Sequence, residues 1–290
     1  MVGNRAAGRL AIIAGSGKLP RYVAEAARAR GDEPFIFALK GESTADWADF
    51  EHIIIGLGDI VLFRKMAADL NILRIIMSGA VSRRPPFAEI RLGLSSLLKL
   101  PSVIRKLVAG GDNTVLTGVI ELLENGERKV ISVQDVAPSL LAETGTIGNH
   151  QPDSDSLKDI AVAARAARMI GTLDIGQGAI AVGGRVVALE GPEGTDAMIA
   201  RVGALKDAGK VSAHRRGVLV KLCKPQQDVR VDLPSAGLAT LENARAAGLA
   251  GVALEAGRSL LLDVEAVKAY ADKHGMFVYG IDPDAPELGG

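Results

Sequence analysis

Residues 10–39 read LAIIAGSGKLPRYVAEAARARGDEPFIFAL, and this stretch decides the fold of the first half of the chain. An apolar run of strand length, Leu10–Ala14, precedes a glycine-rich turn. A helical pattern then runs from residue 20 to residue 30, and a second apolar run, Phe35–Leu39, follows it. A strand, a helix and another strand in this order predict a βαβ unit, in which the two strands are parallel.

The same rhythm continues after residue 39. It predicts a strand at Ile53–Leu57, a helix at Ile60–Leu70, a strand at Ile75–Met77 and, after further helical segments, a strand at Lys129–Val133. Repeated βαβ units build a parallel sheet with helices on its faces. We therefore predict an N-terminal Rossmann-like α/β domain over residues 1–142.

A second α/β domain is predicted for residues 156–290. Residues 143–155 are rich in Gly, Thr, Asn, Pro, Asp and Ser, a composition typical of a linker. Ser156 followed by Asp159 has the spacing of an N-cap signature for a long helix. Two apolar runs joined by Gly183-Gly184 predict a hairpin, so we expect a mixed sheet in this domain.

The composition excludes several classes of protein. Lys plus Arg and Asp plus Glu both number 34, so no net charge attracts nucleic acid, and base-stacking aromatics make up only 3% of the chain. The single cysteine, Cys223, excludes an internal disulfide and fits a reducing compartment. The apolar stretch near the N-terminus is too short for a signal peptide or a membrane span. We expect a cytoplasmic protein that does not bind nucleic acid.

Polar loops follow two strands of the first domain. Gly15, Ser16 and Gly17 lie between the first strand and the first helix, where backbone N–H groups can receive a phosphate. Ser78 and Gly79 follow the fourth strand, and loops at these strand ends bind ligands in open α/β sheets. A substrate-binding crevice and ordinary tight turns are both consistent with these loops.

Two further features of the first domain bear on its ligand. Asn113 lies between helical segments, where it can either contact the substrate or form a turn. A dinucleotide fingerprint is incomplete, because Pro20 occupies the place of its third glycine and the second strand ends without an acidic ribose ligand. The sequence therefore disfavours a nicotinamide-dependent oxidoreductase.

Residues 83–109 form a cationic, leucine-rich segment in an otherwise neutral chain. Six Lys and Arg residues and one Glu give it a net charge of six minus one, or +5. Such a segment can lie on an anionic membrane or contact a greasy substrate. It can equally be a core helix whose basic side chains reach solvent.

Two polar clusters of the second domain are candidates for a ligand site. Gln177 lies on a glycine-rich turn that can read ligand hydroxyls, although a helix C-cap at Gly176 explains the same turn. A second cluster, where a helix begins after a strand, contains Glu190, Glu193, Thr195 and Asp196. It can bind Mg²⁺, or Thr195 can cap the helix. The four histidines have no metal-ligand spacing, so any metal site is expected to use oxygen ligands, which suits Mg²⁺ or Mn²⁺.

The densest polar segment runs from Lys221 to Pro234, directly after an apolar strand. In an extended chain Asp228, Arg230 and Asp232 would project to one face, because side chains alternate along a strand. A carboxylate there could hold a metal or activate water, while Arg230 and the lysines Lys221 and Lys224 neutralise phosphate oxygens. A surface salt-bridge ladder is the alternative.

These segments, in this order and spacing, resemble the UDP-2,3-diacylglucosamine pyrophosphatase family of lipid A biosynthesis, of the type unrelated to calcineurin-like phosphatases. The resemblance implies two α/β domains with the lipid in a crevice between them. It also implies Mg²⁺-dependent cleavage of UDP-2,3-diacylglucosamine into UMP and 2,3-diacylglucosamine 1-phosphate. The family's catalytic aspartate lies in the segment Lys-Pro-Gln-Gln-Asp-Val-Arg, which makes it Asp228 here.

We therefore predict a hydrolase with Asp228 as its catalytic residue and Asp228, Asp196 and Asp232 as its metal ligands. The other predicted residues would bind the substrate: Gly15, Ser16, Gly17, Ser78, Gly79, Asn113, Gln177, Thr195, Lys221, Lys224 and Arg230. A diacylated substrate also favours peripheral contact with the inner membrane through residues 83–109. A non-catalytic carrier of lipids or nucleotide sugars is the alternative function.

Overall fold

The computed structural model describes residues 8–81, 112–124 and 126–284, and for residues 112–114 it describes the backbone alone. The chain divides into two compact units, residues 1–139 and residues 140–290. The predicted segment 83–109 lies outside the described residues, so both of its interpretations stay predictions. No helix of the described residues has the length and apolar composition needed to cross a membrane.

The first unit is built on a five-stranded parallel sheet. Its elements are β1 (Arg9–Ala14), α1 (Leu19–Ala29), β2 (Phe35–Leu39), β3 (His52–Ile55), α2 (Ile60–Asp69), β4 (Ile72–Ser78), α3 (Asp112–Leu123), β5 (Lys129–Val130) and α4 (Val133–Val136). The strand order is β3-β2-β1-β4-β5. The order reverses between β1 and β4, and ligands of open parallel sheets bind at such a reversal.

The apolar pattern of the sequence explains this unit. Pro20, Val23, Ala24 and Ala27 are the buried residues of α1, and their spacing places them on one face of the helix. All five residues of β2 are buried, as expected for a strand covered on both faces. The predicted parallel sheet is confirmed.

The second unit contains a six-stranded mixed sheet. Its elements are β6 (Gly145–Ile147), α5 (Ser154–Thr172), β7 (Gly178–Val182), β8 (Arg185–Leu189), α6 (Gly194–Asp207), β9 (Gly217–Lys221), β10 (Ser235–Ala236), α7 (Leu238–Ala246), β11 (Leu249–Glu255), β12 (Leu260–Leu261), α8 (Val264–His274) and β13 (Phe277–Ile281). The main sheet has the order β6-β13-β11-β9-β7-β8, and β10 pairs with β12. The central strands β13, β11 and β9 are parallel, and the outer ones are antiparallel. The predicted mixed sheet is confirmed.

Helices cover both faces of this mixed sheet. The alanine-rich α5 packs on one face, where Ala163, Ala164 and Ala167 contact small or β-branched residues of β7 and β9. Larger side chains from α6, α7 and α8 form the core on the other face. Small residues let α5 approach the strands closely, and its C-terminal end lies beside the segment that follows β9.

The structure corrects two predictions at the start of the second unit. Part of the predicted linker, residues 143–155, is a strand, because β6 pairs with β13. The helix also begins earlier than predicted. Asp153 is its N-cap and accepts a hydrogen bond from the Ser156 amide, so Ser156 lies inside the first turn.

Asp159 has a different role from the one its spacing suggested. It is only 2% exposed, and its carboxylate accepts hydrogen bonds from the amides of Gly183 and Gly184, at 3.0 and 2.5 Å. Both glycines have positive φ angles, of 62° and 79°, so they form the predicted tight turn between β7 and β8. The carboxylate of Asp159 therefore fixes the hairpin against α5.

We expect Asp159→Ala to lower the free energy of unfolding by about 1–3 kcal/mol, because two amides lose a charged acceptor. Denaturant unfolding followed by circular dichroism measures this loss. Asp155→Ala is the matched control on the same helix. Its side chain is 85% exposed and pairs with Lys158, so we expect a change below about 0.5 kcal/mol. Equal losses in the two variants would contradict this role of Asp159.

Candidate functional site

Polar residues of the second unit gather at one edge of the mixed sheet. β9 ends there at Lys221, paired with Leu254 near the end of β11 and with Gly178 at the start of β7. β8 ends at the same edge, because Leu189 pairs with Ala179. Four neighbouring strands therefore bring their flanking loops together, as predicted for a ligand site at strand ends.

Glu190 is a buried acid at this edge and is only 6% exposed. Its carboxylate accepts a hydrogen bond from the Gln177 amide at 3.1 Å and another from the Thr195 hydroxyl at 2.5 Å. Thr195 therefore does not cap α6, because its hydroxyl donates to Glu190 instead. A Cβ at Gly176 would overlap the Glu190 carbonyl oxygen, so only glycine permits this approach.

The C-cap predicted at Gly176 is also corrected. Helix α5 has its C-cap at Leu173, and Asp174 adopts the left-handed conformation next, with a φ of 56°. Aspartate tolerates this conformation better than most residues. Its carboxylate faces Lys224, whose ammonium group lies 2.7 Å away.

Lys221 is a buried lysine at the end of β9, 6% exposed. Its ammonium group donates to the Ser235 carbonyl oxygen at 2.7 Å. Burial lowers the pKa of Lys221, while the carboxylates of Glu190, Asp196 and Asp232 act in the opposite direction. Three acids therefore lie close enough to Lys221 to interact with its charge.

The segment after β9 is anchored to its neighbours. The Cys223 amide donates to the Glu255 carboxylate at 2.8 Å, and Glu255, 4% exposed, also pairs with Arg258. Further along, the Gln226 amide group donates to the Gly171 carbonyl oxygen at 2.9 Å. The segment thus joins the end of β11 to the C-terminal end of α5.

Asp228 and Arg230 form a close ion pair. Arg230 Nη2 lies 2.6 Å and Nε 2.9 Å from the two carboxylate oxygens of Asp228, whose side chain is 23% exposed. The Arg230 guanidinium holds the pKa of Asp228 below its usual range, although burial acts in the opposite direction. Asp228 is therefore ionised at neutral pH and partly open to solvent.

The extended conformation predicted for this segment is wrong. The amides of Val231 and Asp232 both donate to the Asp228 carbonyl oxygen, at 3.1 and 3.2 Å, so residues 228–232 form a turn. Asp232 consequently accepts a hydrogen bond from Gln227 and does not line up with Asp228 and Arg230. Of the ladder considered for Asp228, Arg230 and Asp232, the structure shows the ion pair between Asp228 and Arg230.

The loops predicted in the first unit also meet. The Gly15 amide donates to the Ser78 carbonyl oxygen at 2.8 Å, and Ser16 exchanges backbone hydrogen bonds with Ala80. Gly79 has a φ of 87°, and a Cβ there would lie 2.6 Å from the Ser16 carbonyl oxygen. The two loops are therefore packed against each other where the strand order reverses.

Comparison with known proteins assigns both units to one family. Residues 9–140 match the LpxI N-terminal domain, and residues 143–279 match the LpxI C-terminal domain. The UDP-2,3-diacylglucosamine pyrophosphatase LpxI of Caulobacter vibrioides is 38% identical over 277 residues, which cover 95% of this chain and 98% of that protein.

The chain belongs to the LpxI family. This confirms the resemblance found in the sequence. The catalytic role of Asp228 and the substrate-binding roles of the other residues stay predictions. Asn113 lies in α3, and its side chain is outside the described residues.

The three metal ligands predicted for this LpxI family member have separate partners. Asp228 pairs with Arg230, Asp232 accepts from Gln227, and Asp196 accepts from the Asn243 amide group at 3.0 Å. Within residues 8–81, 112–124 and 126–284, no group of three or more His, Cys, Asp or Glu side chains is arranged to hold a metal ion. The metal assignment also stays a prediction.

Two residues of this candidate site, Glu255 and Gln227, were not predicted from the sequence. Glu255 ends the apolar run of β11 at the same edge as Lys221, and Gln227 precedes Asp228. An acid at the end of a strand parallel to β9 was the available signal for Glu255. Nothing in the sequence distinguished Gln227 from Gln226, because their partners are set by the turn.

The structure predicts that Cys223 reacts slowly with thiol reagents. Burial raises the pKa of its thiol to about 11, so the reactive thiolate is scarce at neutral pH. We expect iodoacetamide to label the native protein at least about 100-fold more slowly than the unfolded chain. Cys223 is the sole cysteine, so mass spectrometry reports it directly. Comparable rates would show that the segment after β9 is open.

Proposed function

We propose that this protein hydrolyses the pyrophosphate bond of UDP-2,3-diacylglucosamine and releases UMP and 2,3-diacylglucosamine 1-phosphate, with Mg²⁺ as its cofactor. The observation that carries the proposal is the ionised, half-buried carboxylate of Asp228 beside Arg230, in a chain of the LpxI family. A relative named for this activity supports the choice of substrate.

Each charged group of the segment has a distinct part in the proposal. Asp228 accepts a hydrogen bond from the attacking water and takes up its proton as a general base, and the same carboxylate would serve as a ligand for Mg²⁺. Arg230, 40% exposed, can turn from Asp228 to the diphosphate oxygens as the substrate binds. Lys224 and the buried Lys221 raise the local positive potential, which stabilises the charge that develops on the phosphate oxygens.

The donor chemistry of the site fits Mg²⁺. Mg²⁺ is usually held by one or two carboxylates together with substrate phosphates and water, so it does not need a cluster of three protein ligands. Asp228 is the carboxylate we propose for it, with Asp196 and Asp232 as the further candidates. When bound, Mg²⁺ or the chemically similar Mn²⁺ would neutralise charge on the diphosphate.

Two of the predicted substrate-binding residues have buried polar atoms that lack partners. Among the described residues, Ser78 Oγ and Gln177 Oε1 are buried and accept or donate no hydrogen bond. Such groups are uncommon, because burial of an unpaired polar atom costs free energy. Their lack of partners supports a role in substrate binding, and we propose the same for the adjoining Gly15, Ser16, Gly17 and Gly79.

A carrier protein is the second candidate, because carrying a nucleotide sugar needs the same binding groups. The decisive difference is product formation. The carrier would retain UDP-2,3-diacylglucosamine intact, whereas the hydrolase would release UMP. The cytoplasmic location, the membrane contact and the crevice between the two domains stay predictions.

We expect the purified protein to release UMP from UDP-2,3-diacylglucosamine, and Asp228→Asn to lower kcat by about 10²–10⁴-fold, the range for loss of an acid–base group. Chromatographic detection of UMP measures both rates. Asp155→Asn, at an exposed position on α5, is the control and should keep parental activity. Parental activity in Asp228→Asn would contradict the assignment, and intact substrate with the parental protein would favour the carrier.

Removal of divalent ions should abolish UMP release. We expect the activity to disappear in EDTA and to return with excess Mg²⁺ or Mn²⁺, while Ca²⁺ restores less, because Ca²⁺ binds oxygen ligands at longer distances. Thermal unfolding in EDTA should show an intact fold. Full activity of the metal-free protein would contradict the role of Mg²⁺.

A further inference from the structure

Asp228 lies at the junction of two consecutive turns. In the first turn the Gln227 amide donates to the Lys224 carbonyl oxygen at 3.0 Å. In the second, the amides of Val231 and Asp232 donate to the Asp228 carbonyl oxygen. Each turn is short, so the direction of the Asp228 side chain depends on how the two turns are held relative to each other.

The side chain of Gln227 joins these two turns. It is only 8% exposed, and its Oε1 accepts a hydrogen bond from the Lys224 amide at 2.9 Å. The Cys223 thiol also donates to Oε1, at 3.5 Å. On the other side, Nε2 donates to the carboxylate of Asp232. The side-chain amide of Gln227 therefore connects Lys224, the first residue of the first turn, with Asp232, the last residue of the second.

The chemistry of these contacts requires a carboxamide. A glutamine accepts at its oxygen and donates at its nitrogen, whereas an ionised glutamate only accepts. The bond to Asp232 is assisted by the charge of the carboxylate, and its donor, the Gln227 side chain, is buried although Asp232 is exposed. A charge-assisted bond of this kind is stronger than a hydrogen bond between two neutral groups. The neighbouring Gln226 binds carbonyl oxygens of α5 and cannot replace it.

We infer that Gln227 and Asp232 are positioning residues that hold Asp228 in its reactive orientation, and that Asp232 serves this hydrogen bond and is not a magnesium ligand. This inference rests on the proposed function and revises one of its three candidate ligands. Misplacement of a reacting group by about 1 Å costs about 10²-fold in rate, so the pair acts on kcat.

An exchange of the two functional groups tests the inference. Gln227→Glu places two carboxylates face to face, and we expect kcat to fall about 100-fold with little change in KM. The double variant Gln227→Glu with Asp232→Asn reverses the hydrogen bond, because the amide introduced at position 232 donates to the carboxylate introduced at position 227. We expect it to recover at least about tenfold of the lost kcat. Gln151→Glu, at an exposed position before α5, controls for the added charge.

The concentration of Mg²⁺ that gives half-maximal activity separates the two roles of Asp232. A positioning role leaves this concentration unchanged in the double variant and restores kcat. If Asp232 is a magnesium ligand, the half-maximal Mg²⁺ concentration rises both in Asp232→Asn and in the double variant. The double variant then does not recover kcat. The second result would overturn the inference.

Labelling of Cys223 in metal-free protein gives a readout that does not depend on activity. Cys223 donates to the same Gln227 oxygen, so a displaced Gln227 side chain should expose the thiol. We expect Gln227→Glu to speed iodoacetamide labelling at least about fivefold and the double variant to restore the slow rate, since the exchange remakes the bond. Unchanged labelling in Gln227→Glu would overturn the inference even if the parental protein released no UMP. If labelling changes as expected but the parental protein releases no UMP, only the proposed function is overturned.

Discussion

The site depends on the burial of polar groups where β9 ends. A charged or amide group taken out of water costs several kcal/mol unless it finds a partner, so pairing of these groups is strongly favoured, and Gln177 Oε1 is an exception. The Lys221 ammonium group donates a hydrogen bond to the Ser235 carbonyl oxygen, the Cys223 amide donates to Glu255, and the Gln227 side chain donates to Asp232. These hydrogen bonds restrict the conformation of the segment after β9, in which the Asp228 carboxylate stays partly exposed.

The arrangement of strands follows from the apolar pattern of the sequence. Parallel strands covered on both faces are continuous apolar runs, and the runs at β1, β2 and β9 are visible without a structure. Local helix starts were less predictable, because several residues near 153–159 can cap a helix. Asp153 is the N-cap of α5. Asp159 instead accepts hydrogen bonds from the hairpin amides of Gly183 and Gly184, which are far from it in sequence.

The site was predicted in part. Polar residues beside the ends of apolar strands predicted that Gln177, Thr195 and Lys221 lie close together, and they do gather at one edge of the sheet. Their role in ligand binding stays a prediction. The conformation after β9 was not predictable from alternation of charges, because turns there are fixed by distant partners. The contact of Glu255 with the Cys223 amide arises only when β11 lies beside β9. The contacts of Gln227 arise only when the segment after β9 forms its turns.

The central claim is that Asp228 acts at the diphosphate of the substrate. A crystal structure of the Asp228→Asn protein with intact UDP-2,3-diacylglucosamine and Mg²⁺ tests it most directly. Our account predicts the diphosphate within hydrogen-bond reach of the side-chain amide at position 228, directly or through one water molecule, with Arg230 turned toward the phosphate oxygens. A diphosphate bound away from residue 228, with Arg230 still folded onto that side chain, would contradict the account.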